Sequence, residues 1–161
     1  MDDPIKVGIA DLKVSTAPNK IVTNALGSCV AIVLYDAVHR VGGLAHIMLP
    51  STAFSKIRSN PAKFADTAVP EMLNMMKQLG ATKTTTSAKI IGGAQMFANV
   101  LVEPLGNIGQ RNVLAAKEAL AKENINIVAE DTGGDCGKSV EVDLENGDVT
   151  VRSIKYGINK L

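Results

Sequence analysis

Among the 161 residues of this sequence, two cysteines and two histidines are the scarce side chains that could carry out nucleophilic chemistry. Cys29 follows Gly27 and Ser28 at the start of an apolar run, where a tight turn can expose a side chain and direct backbone N–H groups at one point. A thiol in such a turn becomes a nucleophile when an imidazole or backbone dipoles activate it. A lone cysteine in an apolar strand is more often an inert core residue, so position alone leaves both interpretations open.

Two further side chains have the chemistry to assist a thiol. His46 lies in the apolar segment 44–48, where it is either a core histidine bonded to the backbone or a general base. The hydroxyl of Thr23 could orient an imidazole, although most threonines in strands merely pack. His39 lies in a polar turn, and we expect its side chain to be solvated.

The second cysteine, Cys136, lies in a glycine-rich segment, residues 133–139, that looks like a phosphate-binding loop at first sight. That motif needs a glycine where this sequence has Thr132, and it needs a helix after the loop, where we expect a β-hairpin. We therefore interpret the segment as a flexible connection. No spacing of cysteine and histidine fits a zinc site, so we expect neither a metal nor a cofactor.

The composition excludes several classes of function. The 17 basic and 16 acidic residues give a net charge of +1, which supplies no long-range field for a nucleic acid or an anionic membrane. Aromatic residues make up 3% of the chain and there is no tryptophan, so base-stacking surfaces are not expected. With 46% hydrophobic and 20% charged residues, the chain is expected to form one globular domain over residues 1–161.

The start of the chain is acidic, and no apolar run is long enough to cross a membrane. The sequence therefore predicts a soluble, cytoplasmic protein. In that reducing compartment, two cysteines at distant positions are expected to be free thiols rather than a disulfide.

The elements that must position Cys29 and His46 are strands. Alternating apolar residues predict a strand over Ile5–Val14, and Ile21–Ala25 is a shorter extended piece. The runs Cys29–Tyr35 and Val41–Leu49 are rich in β-branched residues and predict a hairpin, with Cys29 at one end and His46 on the partner strand.

Two segments have helical patterns. Apolar residues recur every three or four positions from residue 64 to residue 79, namely Phe64, Ala68, Met72, Met75 and Leu79, and Gly80 is a plausible stop. Pro70 inside that pattern is expected to kink or divide the helix. The second helix is predicted over residues 110–123, with Val113, Ala116 and Leu120 on its apolar side.

A strand over 89–93 separates the helices, and a hairpin across Asn146-Gly147 pairs residues 140–144 with residues 149–151. The order βββ, α, β, α, βββ does not alternate strictly. It therefore predicts an α+β fold, with a mixed or antiparallel sheet and two main helices on one face.

Taken together, five segments resemble the CheD family of chemoreceptor glutamine deamidases, in the same order and over nearly the whole chain. They are Thr23–Val30, Gly42–Pro50, Lys89–Ala94, Ile108–Asn112 and Asp131–Gly134. Two positions depart from the family pattern: Ala25 stands where glycine is expected, and Lys138 where arginine is usual. Lysine cannot make the planar bidentate contact of arginine, which weakens any such contact at that loop.

The resemblance implies an α/β sandwich and a catalytic triad of Cys29, His46 and Thr23. It also implies hydrolysis of receptor glutamine side chains to glutamate, that is, a protein-glutamine glutaminase with a cysteine nucleophile. We expect the oxyanion or the substrate to be bound at four positions of the neighbouring loops: Gly27, Ser28, Gly92 and Gly93. The loop after Pro50 and the Gly133-Gly134 loop are further candidates for the walls of a shallow substrate groove.

The partners implied by the resemblance are methyl-accepting chemoreceptors, as substrates, and a CheC-type phosphatase. The protein would then meet the membrane only through the cytoplasmic part of the receptors. Two alternatives remain open. A non-enzymatic adaptor would bind and regulate the CheC-type phosphatase, and a thiol peptidase or acyltransferase would use the same triad on other bonds.

Overall fold

The computed structural model describes residues 2–96 and 107–161. In it, segments with alternating or unbroken apolar residues form strands, and segments with a helical apolar repeat form helices. The strands in this part of the chain are β1 (Ile5–Val7), β2 (Asp11–Thr16), β3 (Lys20–Leu26), β4 (Val30–Asp36), β5 (Val41–Ile47), β6 (Thr86–Gly92), β7 (Asn126–Thr132), β8 (Lys138–Asp143), β9 (Val149–Ser153) and β10 (Gly157–Lys160). The α-helices in this part of the chain are α1 (Ala65–Gln78) and α2 (Ile108–Lys122), and three short 3-10 helices also occur.

The strands form two mixed sheets of five strands each. The first sheet has the order β1-β3-β8-β9-β10, and the second has the order β2-β5-β4-β6-β7. In each sheet one neighbouring pair is parallel, β1 with β3 and β6 with β7, and the other pairs are antiparallel. This arrangement, with the two helices, confirms the predicted α+β sandwich.

Strands β4 and β5 are buried at every position, because the second sheet is covered on both faces. One face packs against the first sheet through Ala31, Val33 and Leu44, together with Ile21, Val140 and Val142 of that sheet. The other face packs against α1 and α2 through Val30, Ile32 and Leu34, together with helix residues such as Met72, Ala116 and Leu120. Both helices therefore lie on one face of a sheet, as predicted.

The predicted single strand over Ile5–Val14 is wrong. The chain turns at Ile9 and Ala10, and Ala10 has a positive φ of 58°. Strand β1 then belongs to the first sheet and β2 to the second, so Ile9 lies at a crossing point and is 55% exposed. Because the extended piece Ile21–Ala25 is also a full strand, β3, five strands precede α1 instead of three. Among the described residues after α2, four strands follow instead of three.

Helix α1 runs unbroken through Pro70, so the expected division at that residue is wrong. Because proline has no N–H, the carbonyl four residues before Pro70, that of Asp66, has no helical donor. Asp66 is exposed in the first turn of α1, where water can bind this carbonyl. The buried face of α1 consists of Ala65, Ala68, Val69, Met72 and Met76. Leu79, predicted to lie on that face, is 44% exposed, because the helix has ended there.

Helix α2 begins two residues before its predicted start and buries Val113, Ala116 and Leu120 as predicted. None of the described helices is long and apolar enough to span a membrane.

Candidate active site

Cys29 lies in a bend, residues 27–29, immediately before β4. Its carbonyl accepts a hydrogen bond from the N–H of Gly93 at 2.8 Å, and the carbonyl of Gly27 accepts one from Ala94 at 2.9 Å. The antiparallel pairing of β4 with β6 thus continues past the ends of both strands. The cysteine is half-buried and has a fixed backbone, which a positioned nucleophile requires.

Gly92 and Gly93 make this close approach possible. Gly92 has a φ of +107°, and a Cβ atom on it would lie 2.5 Å from the carbonyl oxygen of Cys29. Gly93 has a φ of +67°, and its Cβ atom would clash with Val113 of α2. Both residues were expected to bind the oxyanion or the substrate. Their geometry gives them a direct role in holding the Cys29 backbone.

Thr23 joins His46 to the backbone of β1. The hydroxyl oxygen of Thr23 lies 2.7 Å from Nδ1 of His46 and 2.8 Å from the carbonyl oxygen of Val7. A hydroxyl has one proton, and the Val7 carbonyl can only accept it. Thr23 must therefore accept the Nδ1–H proton of the neutral imidazole, which leaves the lone pair on Nε2.

The Nε2 atom of His46 is buried and has no hydrogen-bond partner in the described part of the chain. Strand register places His46 close to Cys29. His46 pairs with Ala31, and Cys29 lies two residues before Ala31 on the same face of the sheet. Diagonal neighbours of this kind are typically about 7–8 Å apart, within reach of an imidazole. Cys29 and His46 therefore lie near each other, and Cys29 packs against the core between the two sheets.

Burial acts on both groups in the same sense. It raises the pKa of the Cys29 thiol, an effect partly offset by the backbone N–H of Cys29 itself. It lowers the pKa of His46, whose side chain is fully buried. Both shifts favour the neutral forms. At neutral pH Cys29 is therefore a thiol and His46 a neutral imidazole, which can act as a general base.

The bend before β4 also offers a donor for an oxyanion. No backbone carbonyl within the described residues accepts a hydrogen bond from the N–H of Cys29. That N–H is close enough to the sulfur to lower the thiol pKa. A carbonyl carbon attacked by the sulfur would place its oxygen near this donor.

An open groove of about 870 Å³ begins beside this bend. Ala25 and Met96 line it at the end near Gly27, and Arg152, Ile154 and Lys155 line it on the β9–β10 side. These last three residues were not predicted from the sequence, because they lie far from Cys29 in the chain.

The loops expected to form the walls of the substrate groove line other pockets. Gly93, Gly133 and Gly134 line a smaller pocket of about 270 Å³. Pro50 lines a groove of about 460 Å³ that also contacts both helices.

Ala25, the first departure from the family pattern, has a φ of 60°. It lies where the pairing of β3 with β8 is irregular, between Thr23 and Leu26. The left-handed region favours glycine, which accounts for the glycine that the family pattern has here.

Lys138, the second departure, is buried, and its Nζ atom lies 2.7 Å from Oδ1 of Asp131. The lysine also donates to the Asp131 backbone carbonyl at 3.2 Å, so it ties β8 to β7. Burial would raise the pKa of Asp131, but the hydrogen bonds from Lys138 and Asn159, together with the charge of Lys138, outweigh that effect and lower it.

The second cysteine and the second histidine have other surroundings. Cys136 and Cys29 are both free thiols, as predicted. Strand β8 follows the glycine-rich loop where a phosphate-binding loop needs a helix, which confirms the rejection of that motif. His39 is not merely solvated, because its Nδ1 atom lies 2.8 Å from Oδ2 of Asp36. Hydrogen bonds from Thr82 and His39 outweigh the burial of Asp36 and lower its pKa to about 2.

Comparisons with known proteins agree with the resemblance seen in the sequence. A family model described as CheD chemotactic sensory transduction matches residues 48–153. A protein of Desulforamulus reducens named "Probable chemoreceptor glutamine deamidase CheD" is 50% identical over 151 residues, which cover 93% of this chain and 90% of that protein. A relative from Clostridium novyi with the same name is 46% identical over 160 residues, covering 99% and 98% of the two chains.

A further relative, from Bacillus licheniformis, is named "Chemoreceptor glutamine deamidase CheD". It is 44% identical over 158 residues, which cover 98% of this chain and 94% of that protein. The family model begins after Thr23, Cys29 and His46, whereas the similarity to these relatives extends over nearly the whole chain.

Proposed function

The chain belongs to the CheD family, and from this membership we propose that it hydrolyses glutamine side chains of chemoreceptors to glutamate, with Cys29 as the nucleophile. The observation that carries the proposal is the hydrogen-bonded chain from Val7 through Thr23 to His46, which leaves Nε2 unprotonated. An imidazole in that tautomer is ready to accept the proton of a thiol.

In the first step, the sulfur of Cys29 attacks the carboxamide carbon while its proton passes to Nε2 of His46. A new C–S bond forms, and the carbonyl oxygen becomes an oxyanion. The N–H of Cys29, with Ser28 beside it, would donate to that oxygen. Such a donor typically contributes about 3–4 kcal/mol to the transition state. Because the resting pair is neutral, the proton moves as the bond forms.

In the second step, the imidazolium of His46 donates its Nε2 proton to the departing nitrogen, and ammonia leaves with the electrons of the C–N bond. The product is a thioester on Cys29. Water, deprotonated by the same imidazole, then attacks the thioester carbon. The C–S bond breaks, the sulfur recovers the proton from His46, and glutamate is released.

Thr23 orients the imidazole during both steps. Its neutral hydroxyl accepts from Nδ1–H but stabilises an imidazolium less than a carboxylate would. The Val7 carbonyl, which takes the hydroxyl proton, keeps Thr23 in the accepting orientation. Burial lowers the pKa of His46. Once the imidazolium has formed, this burial favours rapid transfer of its proton to the leaving nitrogen.

A receptor glutamine would reach Cys29 from the open groove. Met96 packs over Gly27, since a Cβ atom on Gly27 would lie 3.3 Å from its Cγ atom, and Met96 is 43% exposed. Ile154 is fully exposed at the far side. The groove is open and partly apolar, and a protein that presents a glutamine side chain could cover its surface. A small free amide would leave most of that apolar surface exposed to water. A CheC-type phosphatase that covered this groove would compete with the substrate.

The test is the release of ammonia from a chemoreceptor fragment, together with the mass increase that accompanies conversion of an amide to an acid. We expect both from the wild-type chain and neither from Cys29→Ala or His46→Ala. His39→Ala is the matched control, because His39 lies in the turn at the other end of the β4–β5 hairpin, and it should keep full activity.

Ammonia release by Cys29→Ala would overturn the mechanism. An intact complex with a CheC-type phosphatase and no ammonia from the wild-type chain would indicate the adaptor instead. Cleaved or transferred products would indicate a peptidase or an acyltransferase. Slow alkylation of Cys29 at neutral pH does not indicate the adaptor, because burial raises the pKa of this thiol.

A further inference from the structure

Asn112 connects the bend that carries Cys29 to the end of the strand that carries His46. Its side chain is fully buried, and its Nδ2 atom donates to the carbonyl oxygens of Ser28 and Met48, each at 2.9 Å. Ser28 immediately precedes Cys29, and Met48 follows His46 by two residues. We propose that Asn112 is a positioning residue that maintains the separation of Cys29 and His46, an inference that rests on the proposed nucleophilic role of Cys29.

The position of these two carbonyls explains why a side chain is needed. The pairing of β4 with β5 ends at Val30 and Ile47. Ser28 and Met48 lie beyond that last pair, where the backbone ladder no longer sets the distance between the two chain segments. The amide of Asn112 bridges them there, so it continues the constraint that the ladder provides further along the strands.

Helix α2 gives the amide a rigid base. Asn112 is in the second turn of α2, whose start packs directly on the Gly93-Ala94 segment. A Cβ atom on Gly109 would lie 2.6 Å from the carbonyl oxygen of Gly93. Since the N–H of Gly93 donates to Cys29, the helix is seated on the same segment that holds the nucleophile. A shift of Asn112 would therefore require a shift of the whole start of α2.

The chemistry of the contact restricts which side chain can make it. Two carbonyl oxygens can only accept, so the group between them must donate two protons from one place. A primary amide does so without carrying a charge, whereas a serine hydroxyl donates one proton and leucine none. The orientation of the Asn112 amide is thus determined by its partners.

The Oδ1 atom of Asn112 indicates that this residue does not serve stability alone. Oδ1 of Asn112 is buried and has no hydrogen-bond partner within residues 2–96 and 107–161. A buried acceptor without a partner costs free energy, and an apolar side chain of similar volume would avoid that cost. The two donated bonds at the active site account for an amide at this position.

The test compares Asn112→Leu, which keeps the volume and removes both donors, with Leu120→Ala, which opens a cavity elsewhere on α2. We expect Asn112→Leu to lower kcat on a receptor fragment by roughly 10- to 100-fold with little change in KM, because small displacements of reacting groups are costly. Leu120→Ala should lower the melting temperature and leave kcat unchanged while the protein is folded.

A second readout does not depend on enzymatic activity. The rate of alkylation of Cys29 by iodoacetamide, followed by peptide mass mapping, should fall when His46 is replaced by alanine in the otherwise wild-type chain. In the Asn112→Leu background, the same His46→Ala replacement should have no further effect, because the two groups are no longer paired. Asn112→Ser keeps one donor and should therefore retain part of that coupling. It replaces Asn112→Leu in the experiment if that variant does not fold.

An unchanged effect of His46→Ala in both Asn112 backgrounds, or a loss of kcat no larger than that of Leu120→Ala, would overturn the inference. Failure of the proposed function has a different signature. In that case Cys29→Ala would still release ammonia, or the wild-type chain would release none, whatever Asn112 does to the alkylation rate.

Discussion

Oγ1 of Thr23 and Nδ1 of His46 lie 2.7 Å apart, and this hydrogen bond crosses from one sheet of the sandwich to the other. Thr23 is on β3 of the first sheet and His46 is on β5 of the second. The tautomer of the imidazole therefore depends on how the two sheets pack, and the packing itself prepares Nε2 as a base.

Replacement of Thr23 should reduce the rate moderately. Thr23→Val keeps the shape but loses the acceptor for Nδ1–H, and a neutral hydrogen bond contributes about 1–1.5 kcal/mol, or roughly a 10-fold effect on kcat. Thr23→Ser keeps the hydroxyl and should stay near the wild-type rate. Steady-state kinetics on a receptor fragment measure both. A loss as severe as that of His46→Ala would show that Thr23 does more than orient the imidazole.

The pH dependence of kcat/KM should reflect the low pKa of His46. The base works only when it is neutral, and burial shifts its protonation to a pH below the ordinary value of 6.5. Activity should therefore persist as the pH falls through 6.5 and decline only below it. Alkylation of Cys29 should accelerate on the alkaline side, above the ordinary pH range for a thiol, because burial raises the thiol pKa. An acidic limb centred above pH 6.5 would contradict the burial of this imidazole.

Gly92→Ala should displace the nucleophile. The new Cβ atom would lie 2.5 Å from the Cys29 carbonyl, in a backbone region that already disfavours alanine. Gly80→Ala is the matched control, because Gly80 has a similar φ of +99° and nothing within 4 Å of the added atom. It should lose only about 1 kcal/mol of unfolding free energy, measured in urea, and keep full activity. Equal effects of the two substitutions would leave Gly92 with no particular role at Cys29.

Ala25→Gly should stabilise the protein. Alanine at a φ of 60° is strained, and glycine relieves that strain at some cost in unfolded-state entropy, so we expect a net gain of about 0.5–1 kcal/mol. Ala119→Gly, in the interior of α2, is the contrasting control and should destabilise by about 1 kcal/mol. Urea unfolding measures both. Destabilisation by Ala25→Gly would mean that the strain at this position is small.

Substitutions in the groove should affect binding of the receptor more than the chemical steps. Ile154→Glu and Arg152→Glu should raise KM for a receptor fragment and leave kcat nearly unchanged, because both side chains lie away from Cys29 on the β9–β10 side. Arg152 forms no ion pair with a carboxylate among the described residues, so Arg152→Glu changes the charge of the groove without breaking an ion pair.

Val38→Glu is the control for this comparison. Val38 is 67% exposed in the turn at the opposite end of the β4–β5 hairpin. It should leave KM unchanged. If it raised KM as much as Ile154→Glu, the receptor would not be approaching through the groove.

Local patterns in the sequence were sufficient for much of the fold and for the identity of the proposed catalytic residues. The β4–β5 hairpin, α2 and the last hairpin were predictable because their apolar residues repeat with the period of one element. The resemblance to the CheD family pointed to Cys29, His46 and Thr23 together. Neither source predicted the turn at Ala10, although the apolar residues shift there from odd positions, ending at Ile9, to even positions, beginning at Leu12. That phase shift is the local sign that β1 and β2 belong to different sheets.

Only the tertiary structure decided how these residues work together. The proton on His46 is placed by Thr23 and Val7, which belong to the other sheet, and the buried amide of Asn112 comes from a helix 83 positions after Cys29 in the chain. Hydrogen-bond partners and burial depend on which distant segments contact each other, and the local sequence pattern does not specify those contacts. The sequence by itself determined which groups could react, whereas the packing of two sheets and a helix determined their protonation and their separation.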